Sequence, residues 1–228
     1  MKRFVFALLA VMALSVSGVR AQTEAGTTVI YPRIGVNMFK IPGDEVYMSA
    51  GSYVTSKNKV GFTAGVEVEH RFLRYFAASA GLMYSMQGTG YEDSEIIYHD
   101  DNYMQLKDVK LTSHYLNLPV LAILYMGNSG FSIKAGVQFG FLMSAKFDNY
   151  LDEGSVIDGE PVSDTHPETM TVTNGLNRFD FSIPLGIAYE YRNFSMDLRY
   201  NLGLTKTWKF FSKKNRGISL MLGYGFTL

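Results

Sequence analysis

Ten charged residues sit at alternate positions of apolar stretches, and they are the first candidates for chemistry in this 228-residue chain: Arg33, Glu67, Glu69, Lys134, Lys146, Arg178, Asp180, Glu190, Asp197 and Arg199. Five are basic and five acidic. Residues two apart on an extended chain share a face, so these side chains are expected to point together into the interior of a sheet structure. Such a set could relay protons or pass ions. It could equally neutralise itself, because buried charge is tolerated when it is paired and hydrogen-bonded. The balance of signs favours mutual pairing, a plug rather than a path.

Other chemistry is poorly supported. His70, His99, His114 and His166 are scattered, with no two at metal-ligand spacing. The chain has no cysteine, which excludes disulfides, thiolate metal sites and a lipid-modified N-terminal cysteine. A lipid hydrolase or acyltransferase would need a nucleophile, a base and an acid converging at one place. Ser113 beside His114 is the one candidate pair, and neighbours on a strand point to opposite faces. No catalytic, cofactor-binding or metal-binding residue is assigned, and the chain is expected not to be an enzyme.

The elements that must hold the charges are strands. In "FSIKAGVQFGFLMSAK", residues 131–146, every second residue is apolar while those between are polar or glycine, Leu142 excepted. This is the period of a strand with two unlike faces, and it is longer than the roughly five to six residues usual in globular proteins. The pattern recurs in "YPRIGVNMF", "VGFTAGVEVEH", "YFAASAGLMYSMQ", "YLNLPVLAILYM", "RFDFSIPLGIAYEY", "FSMDLRYNLGLT" and "GISLMLGYGFTL". Eight strands result. The fourth is the least regular: Leu121 and Ile123 share the parity of Asn117, and Pro119 predicts a bulge or a missing ladder bond.

The connections alternate too. "RFLR", "GNSG" and "YRN" are tight turns, whereas residues 40–58, 88–110, 147–176 and 206–216 form long links. Outer-membrane barrels have this layout, with turns periplasmic and loops outside the cell. A soluble lipocalin-like barrel would put the apolar face inside, but eight strands enclose too little space for so many Phe and Tyr side chains. The apolar face is therefore expected to meet lipid and the charged face to fill a narrow lumen. Phe39, Tyr84, Tyr115, Tyr189, Tyr191, Phe194 and Tyr224 lie near strand ends, as interfacial girdles would.

The N-terminus supports export. Met1-Lys2-Arg3 is basic, Phe4–Val16 apolar and Val19-Arg20-Ala21 ends on a small residue, which predicts a signal peptide over 1–21 and a barrel domain over 22–228. Without Lys2, Arg3 and Arg20 the 21 basic residues become 18 against 21 acidic ones, a net charge near −3 with no basic footprint for nucleic acid. The composition is rich in Tyr, Phe and Gly and fits one all-β domain.

"YLNLPVLAILY" at 115–125, "IKAGVQFGFLMSAK" at 133–146, "LRYNLGLTK" at 198–206 and the ending "LGYGFTL", together with "RIGVNMF" and "LMYSMQGTG", resemble the PorT-like outer-membrane β-barrel family of Bacteroidota. The resemblance spans nearly the whole chain after residue 21. It implies an outer-membrane barrel, in most members without a defined activity; the member that names the family serves the type IX secretion apparatus. The expectation is a monomeric, non-enzymatic, eight-stranded up-and-down barrel in the bacterial outer membrane, with a structural or surface-interaction role. The alternatives are an accessory part of a secretion or envelope-assembly machine and, third, a lipid-modifying enzyme. Expected partners are outer-membrane lipid and lipopolysaccharide, and envelope or secretion proteins. Loop 147–176 is acidic without a basic residue, while loop 206–216 carries Lys206, Lys209, Lys213, Lys214 and Arg216 with Trp208, Phe210 and Phe211. The basic loop is expected to pack on the acidic one or to meet lipopolysaccharide phosphates.

Overall fold

The computed structural model describes residues 25–42, 46–48, 52–97, 102–157, 160–209 and 212–228. The expected signal peptide, His99, Phe210 and Phe211 lie outside them, as does the side chain of His166. Eight strands form the body: β1 (Thr28–Lys40), β2 (Ser56–Leu73), β3 (Phe76–Tyr91), β4 (Asn102–Tyr125), β5 (Phe131–Ile157), β6 (Phe179–Tyr191), β7 (Phe194–Gly203) and β8 (Arg216–Tyr224). Each pairs antiparallel with the next. β1 also pairs with β8, Arg33 opposite Gly223 and Lys40 opposite Arg216, so the ring closes as an up-and-down barrel. The one helical turn among the described residues is Thr173–Gly175.

Burial follows the sequence alternation and decides which face looks inward. Ile34 is 66 % exposed and Leu222 59 %, whereas Arg33 is 3 % and Glu67 1 % exposed. A soluble protein buries its hydrophobes and exposes its charges; here the order is inverted, as a hydrocarbon solvent requires. Tyr84, Tyr189, Tyr191, Phe194 and Tyr224 take the outward parity. Phe39 and Tyr115 do not: both are buried in the lumen and belong to its filling rather than to a girdle.

Three prolines open the ladder locally without shifting it. Pairing between β3 and β4 is interrupted at Pro119 and resumes in register at Ala80–Val120 and Met83–Asn117. The same gap occurs at Pro184 between β5 and β6 and at Pro32 between β1 and the C-terminal residues. A missing N–H removes one bond each, and the second neighbour strand holds the alignment. Leu121 and Ile123, on the polar parity of β4, are fully buried in the lumen.

One bulge changes the fate of a predicted residue. His114 opposes Ser144 while Tyr115 opposes Leu142, so Met143 is an extra residue in β5. A bulge advances the side-chain phase by one. Beyond it Ala145 turns inward and Lys146, expected in the lumen, is exposed. Arg178, also expected there, precedes β6 and is exposed as well.

The long connections differ from expectation. β5 continues to Ile157 and is joined by a returning strand, Glu160–Thr171, paired from Lys146–Thr171 to Ile157–Glu160. β4 begins at Asn102 and its outer part pairs with Ser94–Ile97 on one side and with β5 on the other. Much of 88–110 and 147–176 is thus a sheet extension, not loop. Its sequence alternates weakly because neither face is sorted by lipid, and pairing partners rather than periodicity make it extended.

Gly88 has φ 143°, and a Cβ there would lie 1.9 Å from the Leu111 carbonyl oxygen. Both problems meet a side chain at once. Gly88→Val is expected to destabilise the barrel by at least about 1–3 kcal/mol, read as a lower temperature at which the compact, fast-migrating form is lost on unboiled detergent gels.

Candidate functional site: the charged lumen

Inward positions of β1, β2, β5, β6 and β7 bring eight charges together. Four are basic, Arg33, Arg71, Lys134 and Arg199, and four acidic, Glu67, Glu69, Glu190 and Asp197, all buried. Small residues make the space. Arg33 lies between Gly65 and Gly223 in the ladder, and Gly186 lies beside both Arg199 and Lys134. A Cβ on Gly81 would come within 2.6 Å of the Glu67 side chain. Alternating large and small residues is how narrow barrels are filled.

The centre is a compact network. Arg199 grips Asp197 through Nε and Nη2 at 2.8 and 2.7 Å, and its Nη2 donates to Glu67 Oε2 at 2.8 Å while Nη1 bonds Oε1. Arg33 Nε pairs with Glu67 from the other side, and its Nη1 lies 3.6 Å from Asp197 Oδ2 and donates to Ser195 Oγ at 3.0 Å. Lys134 Nζ reaches Asp197 at 3.1 Å and Glu69 at 3.9 Å. Nearer the turn end, the Tyr125 hydroxyl sits between two carboxylates, bonded to Glu69 and 3.0 Å from Glu190 Oε1. Arg71 lies 3.9 Å from Glu190 and stacks on the Tyr125 ring, 3.7 Å from its centre.

Polar and apolar layers close the rest. Toward the long-connection end, Asn37 donates to Ser85, and Asn215 donates to Gln87 at 2.7 Å. The free space at this level is about 20 Å³, enough for roughly one water molecule. Above it, Tyr91, Leu111, Tyr115, Leu142 and Leu176 form an apolar plug with Trp208 packed against it. Ala77, Ile123 and Tyr125 form a smaller one at the turn end. Among the described residues the lumen is filled at three levels, by the apolar plug, the charged network and the smaller apolar cluster at the turn end.

Of the ten residues predicted for the lumen, seven charges converge: Arg33, Glu67, Glu69, Lys134, Glu190, Asp197 and Arg199. Asp180 stands apart, held by the Thr205 hydroxyl at 2.6 Å. Arg71 is absent from the predicted set because the sequence reading assigns it to the turn "RFLR"; its position two beyond Glu69 is the signal that places it inside. Ser113 is buried in the lumen, whereas His114 accompanies Tyr84, whose hydroxyl is 2.5 Å from His114 Nδ1, on the other face. The pair cannot act as nucleophile and base. His70 is bonded to Thr28 at 2.8 Å. Among the described residues no group of His, Asp and Glu could hold a metal ion.

A closed antiparallel ring with lipid-compatible outside and paired charges inside defines a transmembrane β-barrel of the bacterial outer membrane. More narrowly, the chain belongs to the outer membrane protein beta-barrel domain family, whose profile matches residues 20–209. Among solved structures it is similar to Ail, the attachment invasion locus protein of Yersinia pestis, at 15 % identity and a TM-score of 0.42, covering 89 % of this chain and 99 % of that one. It is also similar to Neisserial surface protein A, at 11 % identity and a TM-score of 0.35, covering 90 % and 100 %. No curated protein matches the sequence.

Arg199 carries the network, so its replacement is the direct test. Arg199→Glu leaves Glu67 and Asp197 facing a further negative charge, and breaking a buried pair costs about 3–5 kcal/mol. The urea midpoint of the barrel in detergent is expected to fall accordingly, and Glu67→Arg in the same chain is expected to restore part of it.

Proposed function

We propose that the protein is a non-enzymatic, sealed outer-membrane barrel that works at the cell surface through its long-connection end, with the tight turns facing the periplasm. The observation that carries this reading is the filled lumen: among the described residues its interior is occupied by paired charges and apolar side chains, which leaves interaction to the ends. A segment over 1–21 acting as signal peptide delivers the chain to the periplasm, and the closed ring needs no second copy to complete it, which fits a monomer.

The surface end offers two features. One is the sheet extension of β4, β5 and Glu160–Thr171, rich in Asp and Glu. The other is the basic segment 206–216, anchored from below: Leu176 bridges to Trp208, Lys209 N donates to Gly175 O at 3.2 Å, and Lys209 Nζ to Asn174 O at 2.7 Å. Contact between this segment and residues 174–176 is made by the indole, the Lys209 ammonium and backbone groups. Lys206, Lys214 and Arg216 are exposed around it, and each such cation near an anionic lipid surface contributes about 1 kcal/mol. Lipopolysaccharide phosphate is the partner that this ring of cations suits.

Two experiments test the reading. Because the chain has no cysteine, single substitutions report orientation cleanly: Lys214→Cys is expected to react with an impermeant maleimide on intact cells, and Asn128→Cys only after permeabilisation. The reverse pattern removes the proposal. Charge reversal at Lys206, Lys214 and Arg216 together is expected to lower lipopolysaccharide co-purification at least tenfold, while heat-modifiable migration on gels is retained.

A further inference from the structure

The outer face of the barrel is not uniformly smooth. At the turn end a groove of about 470 Å³ runs between β6, β7, β8 and β1, lined by Pro32, Ile34, Tyr191, Phe194, Met196 and Leu222. It is open outward along its length, toward the lipid, and its lining is almost wholly apolar. Through Tyr189 and Met196 it continues into a second depression of about 120 Å³, and through Ile187 and Leu198 into a third of about 350 Å³ beside Gly186. One apolar track therefore leads from the turn toward the middle of the membrane.

At the mouth of that track stands a cation. Arg192 is exposed, with its guanidinium carbon 5.5 Å from the centre of the Tyr191 ring that lines the groove. Its backbone has φ 55°, in the left-handed region. Two-residue hairpin turns favour Asn, Asp or Gly at such positions, so arginine sits there at a conformational cost. The turn is also fixed in place. Asn193 Nδ2 donates to Gly225 O at 2.8 Å, and Gly225 N donates to Asn193 O at 2.7 Å, tying it to the end of β8. A guanidinium presents five donors in a plane that matches phosphate oxygens.

We infer that this is a phospholipid site: an acyl chain lies along the track while the headgroup phosphate is held by Arg192. The choice of phospholipid as the natural occupant rests on the proposed orientation, since periplasm-facing turns meet the phospholipid leaflet; the groove and its cation do not. The test is native mass spectrometry of delipidated protein in detergent titrated with dioleoyl phosphatidylglycerol. Wild type is expected to retain one lipid molecule at low molar excess. Arg192→Asn, which suits the turn, is expected to lower that occupancy at least fivefold with an unchanged or raised melting temperature. Leu222→Trp, which fills the groove, is expected to lower it similarly. Equal retention by all three proteins overturns the site, as does displacement of the glycerolipid by an equimolar lipopolysaccharide fragment bearing lipid A. The micelle titration does not depend on orientation, so inverted cysteine labelling with intact lipid retention would overturn the orientation alone.

Discussion

Hydrocarbon offers no water to the peptide backbone, and the whole architecture descends from that. Every N–H and C=O within the membrane has to find a partner in the protein, and a sheet can provide this only by closing on itself. The β1–β8 pairing is therefore the contact on which all others depend. It also explains why three prolines are tolerated. Each opens the ladder toward one neighbour only, at sites where the other neighbour and the register on both sides of the gap keep the strand in place. An edge strand with the same proline would have no such second support.

Closure at eight strands creates the next constraint. The interior is just wide enough for side chains, so it must be filled, and the inward parity of a strand cannot be filled with hydrophobes alone where neighbouring strands present glycine and serine. Arg33, Lys134 and Arg199 are long enough to reach across to carboxylates on other strands, and Gly65, Gly186 and Gly223 give them room. The four-against-four balance follows from burial: a ninth charge in that space would be unpaired at a cost of several kcal/mol. A network of this kind joins β1, β2, β5, β6 and β7 through side chains across the lumen, in addition to the backbone ladder around it.

This physics also sets what could be read from the chain. Within the membrane, lipid sorts residues into two faces, so the alternation around Ile34–Met38 or Ile218–Tyr224 identifies strand, face and environment together. Seven of the eight network charges lie in such stretches and were legible. Legibility stops where the sorting stops. The Met143 bulge leaves no periodic trace before it reverses Lys146, and Arg71 sits where an apolar pattern gives way to a turn. Beyond Lys146 the sequence of β5 no longer alternates cleanly, so the extension reads as loop although its backbone is paired to Ile157. The inward placement of Phe39 and Tyr115 was carried by parity, since Phe39 lies six residues after Arg33 and Tyr115 two before Asn117; an aromatic near a strand end suits an interface and a lumen plug alike, and that likeness masked the signal.

On the proposed reading, a filled interior leaves function to the ends of the barrel. The residues with the most chemistry in them, three guanidiniums, an ammonium and four carboxylates, face one another across the lumen and tie its strands together. Ser113 and His114 illustrate the point from the other side, since the strand geometry that makes the barrel possible also separates any two adjacent residues across its wall. What remains free to act is what the ring does not need: cations on segment 206–216, the extension above β4 and β5, and Arg192 held in a turn whose conformation another residue would adopt more easily. A side chain that occupies a turn against local preference, next to an apolar groove, is a strained position of the kind that points to a binding role rather than a folding one.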